Sequence, residues 1–107
     1  MTDSNRSAAI LEVRGLRVAL PSDADRPHAI EHLDLRIEAG RTLCIVGESG
    51  SGKSVLATTV MGLLAKGLVL AGGDVVLSGE KLVDNGRFTS DKRLRQLRGT
   101  GMGMVFQ

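Results

Sequence analysis

The chain has 107 residues, which is the size of one small domain with a modest core. Its formal net charge is only +2, from 14 Lys and Arg against 12 Asp and Glu, so the composition does not predict nucleic-acid binding. Cys44 is the single cysteine, which excludes an intrachain disulfide, and no run approaches the ~20 apolar residues of a membrane span. Residues 1–8 are polar without an apolar signal segment and are expected to be disordered, so we predict a soluble, cytoplasmic chain.

Two alternating strands are predicted at the start of the chain. The first covers residues 9–20, and Gly15 predicts a bulge within it because the apolar set shifts by one residue there. A loop at residues 21–27 leads to the second strand, residues 30–37, which ends in a turn at Ala39-Gly40. Together they predict a small antiparallel layer. The predicted core residues of the first strand are Leu11, Val13, Leu16 and Val18, and the second strand is predicted to carry Leu33, Leu35 and Ile37 on one face.

The most informative stretch is residues 47–54, which match the pattern G-x-x-x-x-G-K-[ST] at every fixed position. The apolar run at residues 42–46 predicts a buried strand before the motif, with Cys44 as a small core residue. Apolar residues at helical spacing predict a helix after it, from about Lys53 to Lys66. Strand, glycine loop and helix in this order predict a nucleotide site.

The residue types of this loop suit phosphate binding. Glycines lack a Cβ, so successive amide N–H groups can approach an anion, and the start of the following helix adds unpaired amides and the positive end of its dipole. The Lys53 ammonium is predicted to reach the β- and γ-phosphates, and the Ser54 hydroxyl to ligand Mg²⁺. The predicted nucleotide-binding residues are Gly47, Glu48, Ser49, Gly50, Ser51, Gly52, Lys53, Ser54 and Val55.

The rest of the chain alternates short strands and turns. Residues 74–77 predict a strand between two glycine-containing turns, and Asp84-Asn85-Gly86 predicts a further turn. Thr89-Ser90-Asp91 predicts the start of a helix that runs to about Arg98, whose basic residues we interpret as a solvated face. Residues 102–107 are apolar up to a final glutamine and predict one more strand.

On these residues the chain resembles the ATP-binding subunits of ABC transporters, most closely the importers for oligopeptides, dipeptides and nickel. The resemblance runs from about Leu11 to Gln107 and rests on residues 43–54, on Met61-Gly62-Leu63-Leu64 and on residues 102–107. It implies an α/β fold with a P-loop NTPase (RecA-like) core, of which this chain holds an incomplete part, and an N-terminal antiparallel β subdomain. Residues 9–107 are then the N-terminal part of an ATP-binding domain, with ATP and Mg²⁺ as its ligands.

The resemblance implies roles for two further residues. Gln107 falls at the family's Q-loop glutamine, which implies a contact with Mg²⁺ or the attacking water and a catalytic and coupling role. His28 is the residue nearest the position at which many members stack an aromatic ring on adenine, and the chain has no Tyr or Trp. A polar strand end for Gln107 and a solvated loop residue for His28 are the structural alternatives.

The resemblance also implies partners and a function. A second ABC ATPase subunit and transmembrane permease subunits would hold the chain peripherally on the cytoplasmic side of the membrane. The expected function is ATP binding that energises the import of peptides or a related small solute.

The family's signature motif, acidic pair and switch histidine are not among these 107 residues, so we expect little ATP hydrolysis by the chain alone. The alternatives are another P-loop protein, such as a small-molecule kinase or a GTPase, and a truncated product without a function of its own.

Overall fold

The computed structural model describes residues 9–22, 24–25, 27–46 and 52–103. In this part of the chain, one antiparallel sheet has the spatial strand order β2-β1-β3-β4-β5. The strands are β1 (Ala9–Ala19), β2 (His28–Glu38), β3 (Val69–Leu77), β4 (Glu80–Asp84) and β5 (Arg87–Phe88), and the helices are α1 (Lys53–Val60) and α2 (Asp91–Leu97). Neither helix is long and apolar enough to cross a membrane.

The bulge predicted at Gly15 is confirmed. Gly15 has a φ of +60°, and the pairing of β1 with β2 changes register between Val13 and Leu16. The register change turns both Val13 and Leu16 toward the core, where their exposed fractions are 1% and 0%. The other predicted core residues of β1 are buried (Val18) or packed against the core (Leu11).

β3 begins at Val69 and is therefore longer than the predicted strand at residues 74–77. Gly72 and Gly73, which the sequence placed in a turn, lie inside β3. Gly73 has a φ of +98°, and a Cβ at this position would lie 2.5 Å from the Gly15 carbonyl oxygen and 2.6 Å from the Leu16 Cα. The backbones of β1 and β3 can approach this closely only because Gly73 has no side chain. The glycine pair therefore marks a close strand contact and not a strand end.

Two short strands, β4 and β5, are missing from the sequence-based prediction. Ser78-Gly79 connects β3 to β4, and Asn85-Gly86, at the predicted turn, connects β4 to β5. All four of these connecting residues have positive φ, between 49° and 82°. Positive φ at both central residues is the backbone of a tight two-residue hairpin turn. The turn signals were therefore informative, whereas strands of five and two residues were too short to show an alternating pattern.

The prediction that the first helix extends to Lys66 is wrong, because α1 ends at Val60. The Leu63 N–H donates to the Thr58 carbonyl oxygen at 2.8 Å, and the Gly62 N–H donates to the Thr59 carbonyl oxygen at 3.0 Å. With Gly62 at a φ of +75°, this pair of bonds is the Schellman motif that terminates helices. Gly62 was the sequence signal for the helix end, and the later Lys66-Gly67 pair resembled the same signal.

The prediction for α2 is confirmed at both ends. The Ser90 side chain accepts a hydrogen bond from the Arg93 N–H at 3.2 Å, as an N-cap does, and Arg98 is the C-cap. Both helices contribute to one core with the sheet: Leu56 comes from α1 and Leu94 from α2. The other buried members of this core are Val13, Leu16, Val18, Ile30, Val75, Leu82 and Val83.

The predicted buried strand at residues 42–46 is not formed. These residues have no regular secondary structure, and the exposed fractions of Leu43, Ile45 and Val46 are 44%, 47% and 85%. Cys44 is likewise exposed, so its prediction as a core residue is wrong. A strand needs a neighbour for its N–H and C=O groups, and no described strand pairs with this run. The described fold is a small antiparallel sheet with two helices, compatible with part of an α/β core.

The predicted last strand lies mostly outside the described residues. Met102 forms an isolated parallel bridge with Arg98, and Gly103 has no regular secondary structure. The prediction for residues 104–107 therefore stays a prediction.

Candidate functional site

The start of α1 is the described end of the glycine-rich loop. Gly52 is the N-cap of this helix with a φ of +99°, and a Cβ there would lie 3.0 Å from the Ala29 carbonyl oxygen. The glycine thus allows α1 to begin directly against β2. Gly52 offers no side chain to cap the helix, and the first turn contains no acidic residue. This end of α1 therefore carries the positive end of the helix dipole without a carboxylate of its first turn to offset it.

The first three residues of α1 differ in exposure in a way that suits their predicted roles. Lys53 is half-buried, Ser54 is exposed, and Val55 is half-buried and packs against the core. The Ser54 carbonyl oxygen accepts a hydrogen bond from the Thr58 hydroxyl at 2.9 Å, which fixes the helical turn that carries Ser54. Val55 fixes the helix on the core, and the exposed Ser54 side chain faces solvent, where a hydrated cation could reach it.

The structure corrects the predicted setting of His28. This residue is not in the loop before the second strand but is the first residue of β2, half-buried and paired with Ala19 of β1. Its neighbour Ala29 presents the carbonyl oxygen that faces Gly52. The strand end that carries His28 therefore lies beside the start of α1, while a contact between His28 and adenine stays a prediction.

The remaining predicted site residues lie outside the described part of the chain. They are Gly47, Glu48, Ser49, Gly50, Ser51 and Gln107. No group of three or more His, Cys, Asp or Glu side chains that could hold a metal ion occurs among the residues that are described. The predicted Mg²⁺ site depends instead on hydroxyl, amide and phosphate oxygens, which are donors that Mg²⁺ accepts.

Two cavities meet at Lys53. One, of about 290 Å³, lies between α1 and the sheet and is lined almost entirely by apolar side chains, among them Leu35, Leu56 and Met102. Because an unpaired charge is costly in apolar surroundings, this cavity does not suit a polyphosphate. The other, of about 260 Å³, is lined by residues 29–33 of β2 together with Gly52 and Lys53. No sequence signal marked residues 29–33 as part of a site, and residues 30–33 were predicted only as part of a strand.

The basic stretch of α2 is only partly the solvated face that we predicted. Arg93 forms a two-pronged ion pair with Glu80 of β4, with both N···O distances at 2.7 Å. Hydrogen bonding to Arg93 lowers the pKa of Glu80, and the same bonds raise the pKa of Arg93. Arg98 reaches the C-terminal end of α1, where its Nε donates to the carbonyl oxygen of Met61, the C-cap of α1, at 2.8 Å. Nothing in the local sequence distinguishes these two arginines from Arg95, which pairs with Asp91 within α2.

Comparison with known proteins gives a family for this chain. The family model described as ABC transporter matches residues 30–107. The chain is 39% identical over 98 residues to the dipeptide transport ATP-binding protein DppD of Lactococcus lactis subsp. cremoris, an alignment that covers 92% of this chain and 27% of that protein. It is 37% identical over 101 residues to a putative peptide import ATP-binding protein of Brucella ovis, covering 92% and 30% of the two chains.

A third relative is the glutathione import ATP-binding protein GsiA of Salmonella typhimurium, 35% identical over 109 residues, covering 99% of this chain and 17% of that protein. The chain thus spans between about a sixth and a third of the length of these relatives. A family match over residues 30–107 decides against the kinase and GTPase alternatives. The three relatives are named as ATP-binding proteins of dipeptide transport, peptide import and glutathione import. The chain belongs to the ABC transporter family.

Proposed function

We propose that this chain binds MgATP at residues 47–55 as the N-terminal part of the ATP-binding subunit of an importer for peptides or a related small solute. The observation that carries the proposal is the start of α1, where Gly52 begins the helix at positive φ and Lys53 and Ser54 follow as its first residues. A phosphate at this point would meet the amide groups and the positive dipole end of a helix, together with an ammonium group.

Within this proposal, each residue has a defined task. Lys53 would neutralise charge on the β- and γ-phosphates, the Ser54 hydroxyl would be a ligand of Mg²⁺, and the backbone amides of residues 47–52 would bind the phosphates. Gln107 would contact Mg²⁺ or the attacking water, and His28 would stack on the base. ATP supplies the phosphoryl group whose transfer to water would drive transport, and the residues named here bind it and orient it.

The proposal extends to the partners. The relatives are named as ATP-binding proteins of transport or import, which supports a place for this chain in a transport assembly. The partners in our proposal are a second ATP-binding subunit and membrane-embedded permease subunits. In such an assembly the chain is held at the cytoplasmic face of the membrane by its contacts with the permease. Peptides, dipeptides and glutathione are the solutes named for the relatives, so a short peptide is the solute class we propose.

The test is nucleotide affinity in a lysine variant. Lys53→Ala removes the counter-charge, and because a charge-assisted hydrogen bond contributes about 1.5–3 kcal/mol, ATP affinity is expected to fall by a factor of about ten or more. Titration with a fluorescent ATP analogue in the presence of Mg²⁺ measures this. Lys66→Ala is the matched control, since Lys66 is an exposed lysine beyond the end of α1. Equal affinities of Lys53→Ala and the parent chain would exclude the site.

A further inference from the structure

The two helices are joined at their C-terminal ends by Arg98. This residue is the C-cap of α2, and its guanidinium donates two hydrogen bonds to the end of α1: from Nε to the Met61 carbonyl oxygen at 2.8 Å and from Nη2 to the Gly62 carbonyl oxygen at 3.0 Å. Carbonyl groups at a helix end have no partner within the helix. Arg98 therefore supplies hydrogen-bond donors from the end of α2 to carbonyl oxygens at the end of α1. It also places a cation at the negative end of the α1 dipole.

The side chains of α2 pack closely against the backbone at the end of α1. A Cβ on Gly62 would lie 2.8 Å from the Leu94 Cδ1 and 3.0 Å from the Arg98 Nη2, so a larger residue would have to displace the ends of these two side chains, and at a φ of +75° it would also be strained. Leu94 itself is buried, with an exposed fraction of 3%. The junction thus combines a buried side chain, a glycine that permits close approach and two directed hydrogen bonds, unlike an exposed surface ion pair such as that of Arg95 with Asp91.

The other end of α1 carries the phosphate-binding residues. The helix has eight residues, so it is a rod of about 12 Å with Lys53 at one end and the Arg98 contact just past the other. A short helix moves as a rigid body, so a tilt or shift at its C-terminal end displaces the amides and the lysine at its N-terminal end. Displacement of binding groups by about 1 Å is enough to weaken the interactions they make.

We propose that Arg98 is a positioning residue for the nucleotide site, which it serves by fixing the far end of α1. This inference rests on the proposed function, because it requires a phosphate to bind at the start of α1. The two hydrogen bonds from Arg98 reach the residues just past the end of α1 and not its first turn, so Arg98 acts through the helix. Its loss should therefore weaken binding of the phosphates and leave recognition of the base unchanged.

The experiment compares ATP with AMP in Arg98→Met, which keeps most of the length of the side chain and removes its donors and charge. We expect ATP affinity to fall about threefold to tenfold and AMP affinity to change by less than about twofold, at a temperature where circular dichroism shows a folded chain. Arg95→Met is the matched control on the same helix, because Arg95 is 73% exposed and forms its ion pair within α2. It should leave both affinities unchanged.

The outcomes separate this inference from the proposed function. If the parent chain binds no ATP, the proposed function fails and the inference fails with it. If the parent chain binds ATP and Arg98→Met binds it equally well, or loses ATP and AMP affinity by the same factor, Arg98 has no positioning role.

A second variant covers the case in which Arg98→Met does not fold. Arg98→Lys keeps the cation, but an ammonium lacks the fixed fork that reaches both carbonyl oxygens. The expected result is an intermediate fall in the ratio of ATP to AMP affinity. A ratio equal to that of the parent chain would overturn the inference.

Discussion

At the scale of single residues, Asp34 shows how one side chain can hold a backbone irregularity. One carboxylate oxygen accepts a hydrogen bond from the Gly15 N–H at 2.7 Å, and the other lies 2.9 Å from the His32 Nε2. The Gly15 hydrogen bond, and after it the contact with His32, lowers the pKa of Asp34 below its ordinary value of 3.8. Because the folded structure favours the charged carboxylate, ionised Asp34 stabilises the folded chain relative to the unfolded chain.

This lowered pKa predicts an acid sensitivity. The stabilisation from Asp34 is fully present above the ordinary pKa of 3.8 and is lost as pH falls through the lower pKa of the folded chain. Asp34→Asn keeps an oxygen for the Gly15 N–H but does not titrate. We therefore expect the parent chain to be more stable than Asp34→Asn at pH 7, with a difference that narrows as pH falls below about 4.

Urea unfolding at a series of pH values measures this difference. Asp84→Asn is a suitable control, because Asp84 is an exposed acid of β4 whose carboxylate pairs with a nearby lysine, Lys81. A gap between the parent chain and Asp34→Asn that stays constant from pH 7 to pH 3 would contradict the role given to Asp34.

At the scale of elements, features that depend on neighbouring residues were predicted correctly. Features that depend on residues distant in the chain were not. The alternation of β1 and β2, the Gly15 bulge and the Ser90 cap of α2 were predicted because each depends on a few neighbouring residues. The apolar run at residues 42–46 fits a buried strand equally well, yet whether it becomes one depends on strands that pair with it. The end of α1 was missed because two glycines, Gly62 and Gly67, each satisfied the pattern for a helix end.

The close contact of β1 with β3 gives a prediction at this scale. Gly73→Ala places a methyl group against the Gly15 and Leu16 backbone and puts a non-glycine residue at a φ of +98°. The conformational strain alone is about 1–3 kcal/mol, and the steric overlap adds to it. Gly72→Ala is the control in the same strand, since its Cβ would meet nothing closer than the Arg17 Cδ at 3.7 Å.

Chemical denaturation of the two variants provides the measurement. Gly73→Ala should lower the unfolding free energy by at least about 2 kcal/mol more than Gly72→Ala does. Equal stability of the two alanine variants would show that β1 and β3 are not in this close contact.

At the scale of the whole molecule, the packing of α1 on the sheet places the start of the helix beside β2. The sequence predicted Gly52, Lys53 and Ser54 as site residues, because a motif of fixed spacing carries its chemistry within a few residues. It did not predict that residues 29–33 of β2 line a cavity with Gly52 and Lys53, or that Arg98 reaches the other end of α1. Those contacts join residues far apart in the chain, and local periodicity contains no information about them.

The central claim is that ATP binds at residues 47–55, and backbone NMR of the 11.3 kDa chain tests it most directly. On addition of MgATP to ¹⁵N-labelled protein, we predict the largest amide shift changes at residues 47–55, with a smaller change at His28. Residues 80–97, which cover β4, β5 and α2, serve as an internal reference that should barely move. Shift changes centred on residues outside 47–55, or none at millimolar MgATP, would contradict the claim.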